Sequence, residues 1–273
     1  MTFNTQTTID QADFIQAEID AGALFVCNHS GGKDSQAMYA VLTSLVPADQ
    51  IVVVHADLLS ADWAGLQDHI IANIDHDLVV AKAVSGRRGT KTEKDKDFFD
   101  MVEVSHERLG GKSSPWPSPG QRQCTSDLKR TPIEVEVRRM MREGGYTRAV
   151  NCMGIRAQES TDRKDMDVVK HNKNFDAPTI DRTVTDFLPI HDLDIEDVWK
   201  IIDASGQVRH YAYDLGMSRL SCCFCIYGDD NDLRIAAENN PELYRRYVEM
   251  ERKTGFTFKM DRKSLEDHTG IRI

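Results

Sequence analysis

Ser30-Gly31-Gly32-Lys33-Asp34-Ser35 lies between the apolar run Ala23-Leu24-Phe25-Val26-Cys27 and the stretch Gln36-Ala37-Met38-Tyr39-Ala40-Val41-Leu42. That order reads as strand, glycine turn and helix. Backbone N–H groups and two hydroxyls then gather at a helix N-terminus, where the helix dipole favours an anion. A glycine pair before a helix can also be no more than a tight strand-to-helix turn. Here serines flank the glycines, an apolar strand enters and an amphipathic helix leaves, which favours a loop that holds a nucleotide phosphate. The spacing G-x-x-x-x-G-K-[ST] is absent, so this is not a Walker loop.

Outward from the loop, strands and helices alternate. Ile9, Ala12, Ile15 and Ile19 stand at helical spacing and predict a leading helix. A helix over 36–45 stops before Pro47, and Gln50-Ile-Val-Val-Val-His55 reads as a buried parallel strand, with His55, Ala56 and Asp57 emerging at its carboxyl end. Helical periodicity over 62–74 precedes a third strand, Leu78-Val-Val-Ala-Lys82. The fold class expected is therefore α/β, a parallel twisted sheet with helices on both faces. Residues 86–96 read as a polar loop and 97–109 as a helix. The Gly- and Pro-rich stretch 110–120 around Trp116 reads as a loop walling an active site. A helix over 131–143 places Glu134 and Glu136 early and Arg138, Arg139 and Arg142 late, as the dipole prefers. A strand over 148–153 follows, and residues 186–190 lead into a helix near 195–204. Two short helices are expected after residue 229, with Tyr244, Tyr247 and Met250 as packing residues. The expected division is a nucleotide-binding domain over 1–215 and a cysteine motif with a helical extension over 216–273, packed on it.

The 273 residues carry a formal net charge of −10, which argues against a general positive field for nucleic acid. Local basic segments, 87–96 and 138–142, remain candidates. No run of eighteen apolar residues exists and the first residues lack the parts of a signal peptide, so a soluble, cytoplasmic chain with no membrane segment is expected. Six cysteines in such a chain read as thiols or metal ligands rather than disulfides. Cys27 and Cys152 sit in apolar strands. Cys222-Cys223-Phe224-Cys225 contains a C-x-x-C pair, and Cys124 is the other thiol in a polar context. Thiols from two distant segments suit a 4Fe-4S cluster, with zinc and unligated thiols as alternatives. Cys222 and Cys225 have the useful spacing and Cys124 supplies a third sulfur. Cys223 either completes the set or points into the core. Three ligands would leave one iron open.

Ser-Gly-Gly-x-Asp-Ser resembles the pyrophosphate-binding loop (PP-loop) of the ATP-pyrophosphatase superfamily, which cleaves ATP to AMP and pyrophosphate while adenylylating a substrate oxygen. Further blocks resemble the phosphoadenosine-phosphosulfate reductase family in its broad sense, which includes the ATP-pyrophosphatase of DNA phosphorothioation. Cys124-Thr-Ser-Asp-Leu-Lys129 is similar to its Cys-Thr-x-x-x-Lys segment, Gly154-Ile-Arg-Ala-Gln-Glu-Ser-Thr-Asp-Arg163 to its Gly-x-Arg-x-x-Glu-Ser-x-x-Arg block, and Leu188-Pro-Ile-His-Asp-Leu-Asp-Ile-Glu-Asp-Val-Trp199 to its Pro-Ile block, with Leu193 where a tryptophan is common. Tyr213-x-x-Gly216 and Ser221-Cys-x-x-Cys225 complete the series, over roughly residues 20–230.

The resemblance implies nucleotide contacts from Ser30, Gly31, Gly32, Lys33, Asp34, Ser35, His55, Asp57, Gly154 and Arg156, and chemistry from Lys33, Asp34, Arg156 and Arg163. Arginines at 156 and 163 suit bidentate phosphate binding, although a salt bridge to Glu159 is the plainer alternative. Lys33 and Lys129 suit point-charge contacts to phosphate. Asp34 and Asp57 suit Mg²⁺ or ribose, or in Asp34 a helix cap. The chain departs from thioredoxin-dependent reductases in having no cysteine after Cys225, and from cluster-bearing reductases in having Gln123 beside Cys124. The expected function is an ATP-dependent enzyme that adenylylates a substrate for sulfur transfer, with nucleic acid as acceptor and a sulfur-donor protein as partner. A phosphosulfate (PAPS/APS) reductase and a nucleotide-sensing subunit of an oligomer are the other readings.

Overall fold

The computed structural model describes residues 5–86, 88–176 and 179–273, residues 5–10 by backbone alone. The expectations for Ile9 and Arg87 therefore lie outside the described side chains. Among the described residues, eight strands form two sheets. They are β1 (Leu24–Asn28), β2 (Ile51–Asp57), β3 (Leu78–Lys82), β4 (Val84–Ser85), β5 (Lys94–Asp95), β6 (Arg148–Cys152), β7 (Val169–His171) and β8 (Thr183–Phe187). The six-stranded sheet runs β3-β2-β1-β6-β8-β7. β1 is parallel to both β2 and β6, and β6 is parallel to β8, while β7 closes the far edge antiparallel to β8.

Leu24, Phe25, Val26 and Cys27 are all buried. Successive strand residues point to opposite faces, so β1 is covered on both sides, as a central parallel strand must be. Chain order reverses between β1 and β6, and loops leaving the carboxyl ends of two such strands meet at a topological switch point, the ordinary place for a ligand in an open α/β sheet.

Contacts divide the chain into two units. The first runs to His55 and adds Gln67–Val80 and Glu134–Arg209; the second holds Ala56–Leu66, Ala81–Ile133 and His210–Ile273. In the first, Phe25, Cys27, Val53, Val150 and Phe187 of the sheet pack with Ile15, Met38 and Leu42 of the helices Thr5–Asp20 and Lys33–Leu45. Arg148 Nε donates to Glu18 Oε2 at 2.9 Å and ties the leading helix to β6. In the second, Tyr247 is fully buried among Phe98, Phe99, Trp116, Phe224 and Phe258, with ring centroids 4.9–6.1 Å from its own. Trp116 is thus core; its Nε1 donates to the Phe256 carbonyl at 3.0 Å.

Three elements differ from expectation. The helix expected over 62–74 is only Leu66–Ile71, because Gly65 is left-handed (φ 73°) and Asn73 Nδ2 donates to the His69 carbonyl at 2.7 Å, closing the last turn. The polar segment 86–96 ends in β5, which pairs with β4. Gly86 turns the chain there at φ 79°, where a Cβ would lie 2.1 Å from the Thr92 carbonyl oxygen. The C-terminal part has three helices, Asp230–Asn239, Pro241–Thr254 and Leu265–Thr269. The last is too short to show a period; a capping box from Ser264 and Asp267 starts it, and the Glu251 carboxylate accepts the Leu265 and Phe258 N–H groups.

Candidate functional site

The loop after β1 is held from below by histidines. The His29 N–H donates to the Val54 carbonyl at 2.8 Å and carries the sheet ladder one residue beyond β1. His29 Nδ1 accepts the Gly31 N–H at 3.1 Å, and His55 Nδ1 donates to the His29 carbonyl at 2.9 Å. Gly31 takes φ 79°, a region that favours glycine. Burial lowers the His29 pKa to about 3, helped by the nearby His55 and His69 rings, so His29 stays neutral and its Nδ1 stays an acceptor. Burial also lowers His69, against the opposing pull of the Gly31 carbonyl beside its ring.

The helix Lys33–Leu45 begins at Gly32, which has no side chain to cap it, and its first internal bond is Gln36 N–H to the Gly32 carbonyl at 3.0 Å. An uncapped first turn presents backbone donors to an anion. Ser35 Oγ donates to the Gly32 carbonyl at 2.8 Å and Ser30 Oγ to Ser35 Oγ at 3.3 Å, so both hydroxyls stand at this turn.

The segment after β6 packs on the same turn. Gly154 touches it so closely that a Cβ would lie 2.8 Å from the Asp34 carbonyl oxygen. Arg156 is buried; its Nε donates to Asp34 Oδ1 at 2.6 Å and its Nη1 to Gln158 Oε1 at 2.8 Å. Lys33 Nζ lies 3.4 Å from Asp34 Oδ2, so one carboxylate is shared by two cations. Glu159 accepts the Arg156 N–H at 3.0 Å and pairs with Arg163. The plainer alternative thus describes Arg163, whereas Arg156 reaches Asp34 in the loop after β1. His55 buttresses the loop from within and is 3% exposed.

The second unit holds the other residues expected at the site. Asp57 Oδ1 accepts the Leu59 N–H at 2.7 Å and its Oδ2 lies 3.7 Å from Lys82 Nζ. Cys124, Cys222 and Cys225 act electrostatically on one another and on the Lys129 ammonium, whose Nζ donates to Cys222 Sγ at 3.5 Å. Lys129 belongs with the thiols, carried there by the π-helical turn Ser126–Arg130 that follows Cys124. Its pKa is raised by the Cys222 sulfur and by Asp62 against the cost of burial. Burial raises Cys222, with Lys129 opposing. The Cys223 N–H donates to the Ala61 carbonyl at 2.9 Å, and its thiol is raised by burial and by Cys222 and Asp62. Among the described residues no three His, Cys, Asp or Glu side chains are grouped to hold a metal ion.

His29 and His69 were not expected in this role. The local signal was a ring acceptor at 29, two residues before a left-handed glycine, the spacing of an Asx-turn.

No curated protein sequence matches the chain. A profile of the phosphoadenosine phosphosulfate reductase domain matches residues 25–227. The phosphoadenylyl-sulfate reductase of Candida auris, solved with phosphate, is similar at 13% identity and TM-score 0.47, over 81% of this chain and 97% of that one. The FMN adenylyltransferase of Candida glabrata, with FAD and pyrophosphate, gives 12% identity and TM-score 0.41, over 81% and 66%. The U34-tRNA thiolase of Methanococcus maripaludis, with its [4Fe-4S] cluster, gives 12% identity and TM-score 0.37, over 100% and 88%. Among the described residues no helix is long and apolar enough to cross a membrane.

Proposed function

The chain belongs to the phosphoadenosine phosphosulfate reductase domain family, and from that premise we propose that it binds ATP at 30–35 and adenylylates a substrate for sulfur transfer. The uncapped first turn of Lys33–Leu45, with Lys33 and Arg156 fixed on Asp34, is the observation that carries this reading. A substrate oxygen attacks the α-phosphorus and the bond to the β-phosphate oxygen breaks. Pyrophosphate leaves into the loop, where backbone donors and the two cations offset its charge. Sulfur then displaces AMP, forming a carbon–sulfur bond as the carbon–oxygen bond breaks. Asp34 and Asp57 are each already matched to cations, so Mg²⁺ would be held chiefly by the nucleotide's own phosphates, whose charge it would offset.

Cys124, Cys222 and Cys225 are the residues that would hold a 4Fe-4S cluster. Three thiols that act on one ammonium supply the kind of ligand such a cluster takes, and Lys129 would offset its charge. When bound, the cluster supplies iron able to carry sulfur. In this reading Cys223, whose thiol is raised by burial and by Cys222 and Asp62, is not a ligand. Nucleic acid is the proposed acceptor and a separate protein the proposed sulfur donor.

The family match favours one further reading, reduction of a phosphosulfate nucleotide. Two external thiols would be oxidised to a disulfide while the sulfur–oxygen bond breaks, releasing sulfite and the nucleotide. One assay separates the two: pyrophosphate release from ATP in the presence of tRNA or DNA supports adenylylation, and sulfite from phosphoadenosine phosphosulfate with dithiothreitol supports reduction. After anaerobic iron and sulfide reconstitution, Cys124→Ser, Cys222→Ser and Cys225→Ser are each expected to lose most of the bound iron and Cys223→Ser to keep it. Equal iron in all four variants would sink the ligand assignment.

A further inference from the structure

His29 is attached to the loop entrance at three points. Its N–H is bound by Val54, its carbonyl by the His55 ring, and its own ring by the Gly31 N–H. A ring whose Nδ1 accepts is neutral and carries its proton on Nε2. The ring is 2% exposed, its Nε2 has no hydrogen-bond partner among the described residues, and the Tyr39 ring stands edge-on to it at 6.2 Å. Leaving a buried donor unpaired costs free energy, and the site tolerates that cost in order to keep Nδ1 as acceptor.

The Gly31 N–H is thereby removed from the donors open to a ligand. Gly31 is left-handed and Gly32 extended, so the chain could swing at either residue if Gly31 were unbound. With Gly31 bound, the direction in which Gly32 enters the helix is fixed.

We propose that His29 is a positioning residue for the anion site: it captures the Gly31 N–H and presets the loop, so that the phosphates meet only the first-turn donors of Lys33–Leu45. The inference rests on the anion reading of the loop and adds a residue and a mechanism to it. Preorganisation raises affinity by lowering the ordering cost of binding. Asn at position 29 would place an acceptor oxygen where Nδ1 stands, in the geometry of an Asx-turn, whereas Leu fills the space with no acceptor.

The test uses the full chain, with inorganic pyrophosphate as probe by calorimetry and with the histidine ¹⁵N resonances read by NMR. His29→Leu is expected to bind pyrophosphate about five- to tenfold more weakly, the worth of one neutral hydrogen bond, and His29→Asn within about twofold of the parent. In the unsubstituted chain the His29 ring should show a neutral, Nε2-protonated pattern at about pH 5, where exposed histidines are charged. That spectrum is read without any variant, so it stands even if His29→Leu misfolds. Tight binding by His29→Leu, or a ring protonated on Nδ1, overturns the proposal. An Nε2-protonated ring in a chain that fails to bind pyrophosphate overturns the anion reading and leaves the loop brace standing.

Discussion

Gly154 is a position where the absent side chain has a defined effect. A methyl there would press on the Asp34 backbone, at 2.8 Å from its oxygen and 2.9 Å from its carbon, and a helix backbone cannot yield as a flexible side chain can. Gly154→Ala is therefore expected to weaken pyrophosphate or ATP binding about tenfold or more, with about 1–3 kcal/mol lost in stability; titration and denaturant unfolding check both. Arg156 offers the converse case. Removing it strands Asp34 with Lys33 alone and leaves Gln158 Oε1 without its Nη1 donor, although Ile195 N–H still reaches that oxygen at 3.0 Å. Asp34 is partly exposed, so Arg156→Gln is expected to cost about 2 kcal/mol, below the range for a fully buried pair. Arg163→Gln, which breaks a surface pair with Glu159, should cost under about 1 kcal/mol. Equal losses in the two variants would refute this ordering.

At the scale of elements, the glycine turn at 30–35 and its flanking strand and helix were legible because apolar periodicity and glycine chemistry agreed locally. The third C-terminal helix was not, since Leu265–Thr269 is specified by its cap and by the Glu251 carboxylate fourteen residues away rather than by a repeat. Its end also carries an acid-sensitive clamp. His268 lies between Asp230, at 2.7 Å, and Asp261, at 3.2 Å. The bond from His268 holds the Asp230 carboxyl below the usual range. Burial pushes Asp261 up, but the Lys263 N–H and His268 outweigh it. Carboxyls lowered on folding stabilise above their unfolded pKa, and that stability is lost as pH falls through the folded value. Hydrogen exchange in this helix should therefore accelerate as pH is lowered from about 5 towards 3, after correction for the intrinsic rate, and His268→Asn should flatten the change. The aromatic cluster follows packing alone: Trp116→Ala is expected to cost about 3–5 kcal/mol by denaturant unfolding.

Over the whole molecule, charge explains why the acceptor was the least legible feature. Arg138 donates to Glu134 and to the Asn174 carbonyl and lies over the Phe175 ring, while Arg139 is paired with Glu136 and Glu143. The basic helix end therefore carries matched charges, consistent with a net charge of −10. If nucleic acid is the acceptor, binding should depend weakly on salt, with a log–log slope on the order of −2 or shallower, measurable by fluorescence anisotropy with tRNA. A steep slope would point to a basic surface elsewhere. The cysteines show the same limit: their spacing marked a sulfur-rich locus, but Lys129 beside Cys222 depends on a π-helical turn that no periodicity announces. The sheet's rim has a last consequence. β7 is three residues long, with every side chain exposed and Lys170 at its middle, and it runs against the direction of its neighbour. A rim so brief and so charged gives an incoming strand from a second copy too little to zip onto, so lateral growth of the sheet into fibres is blocked at that side.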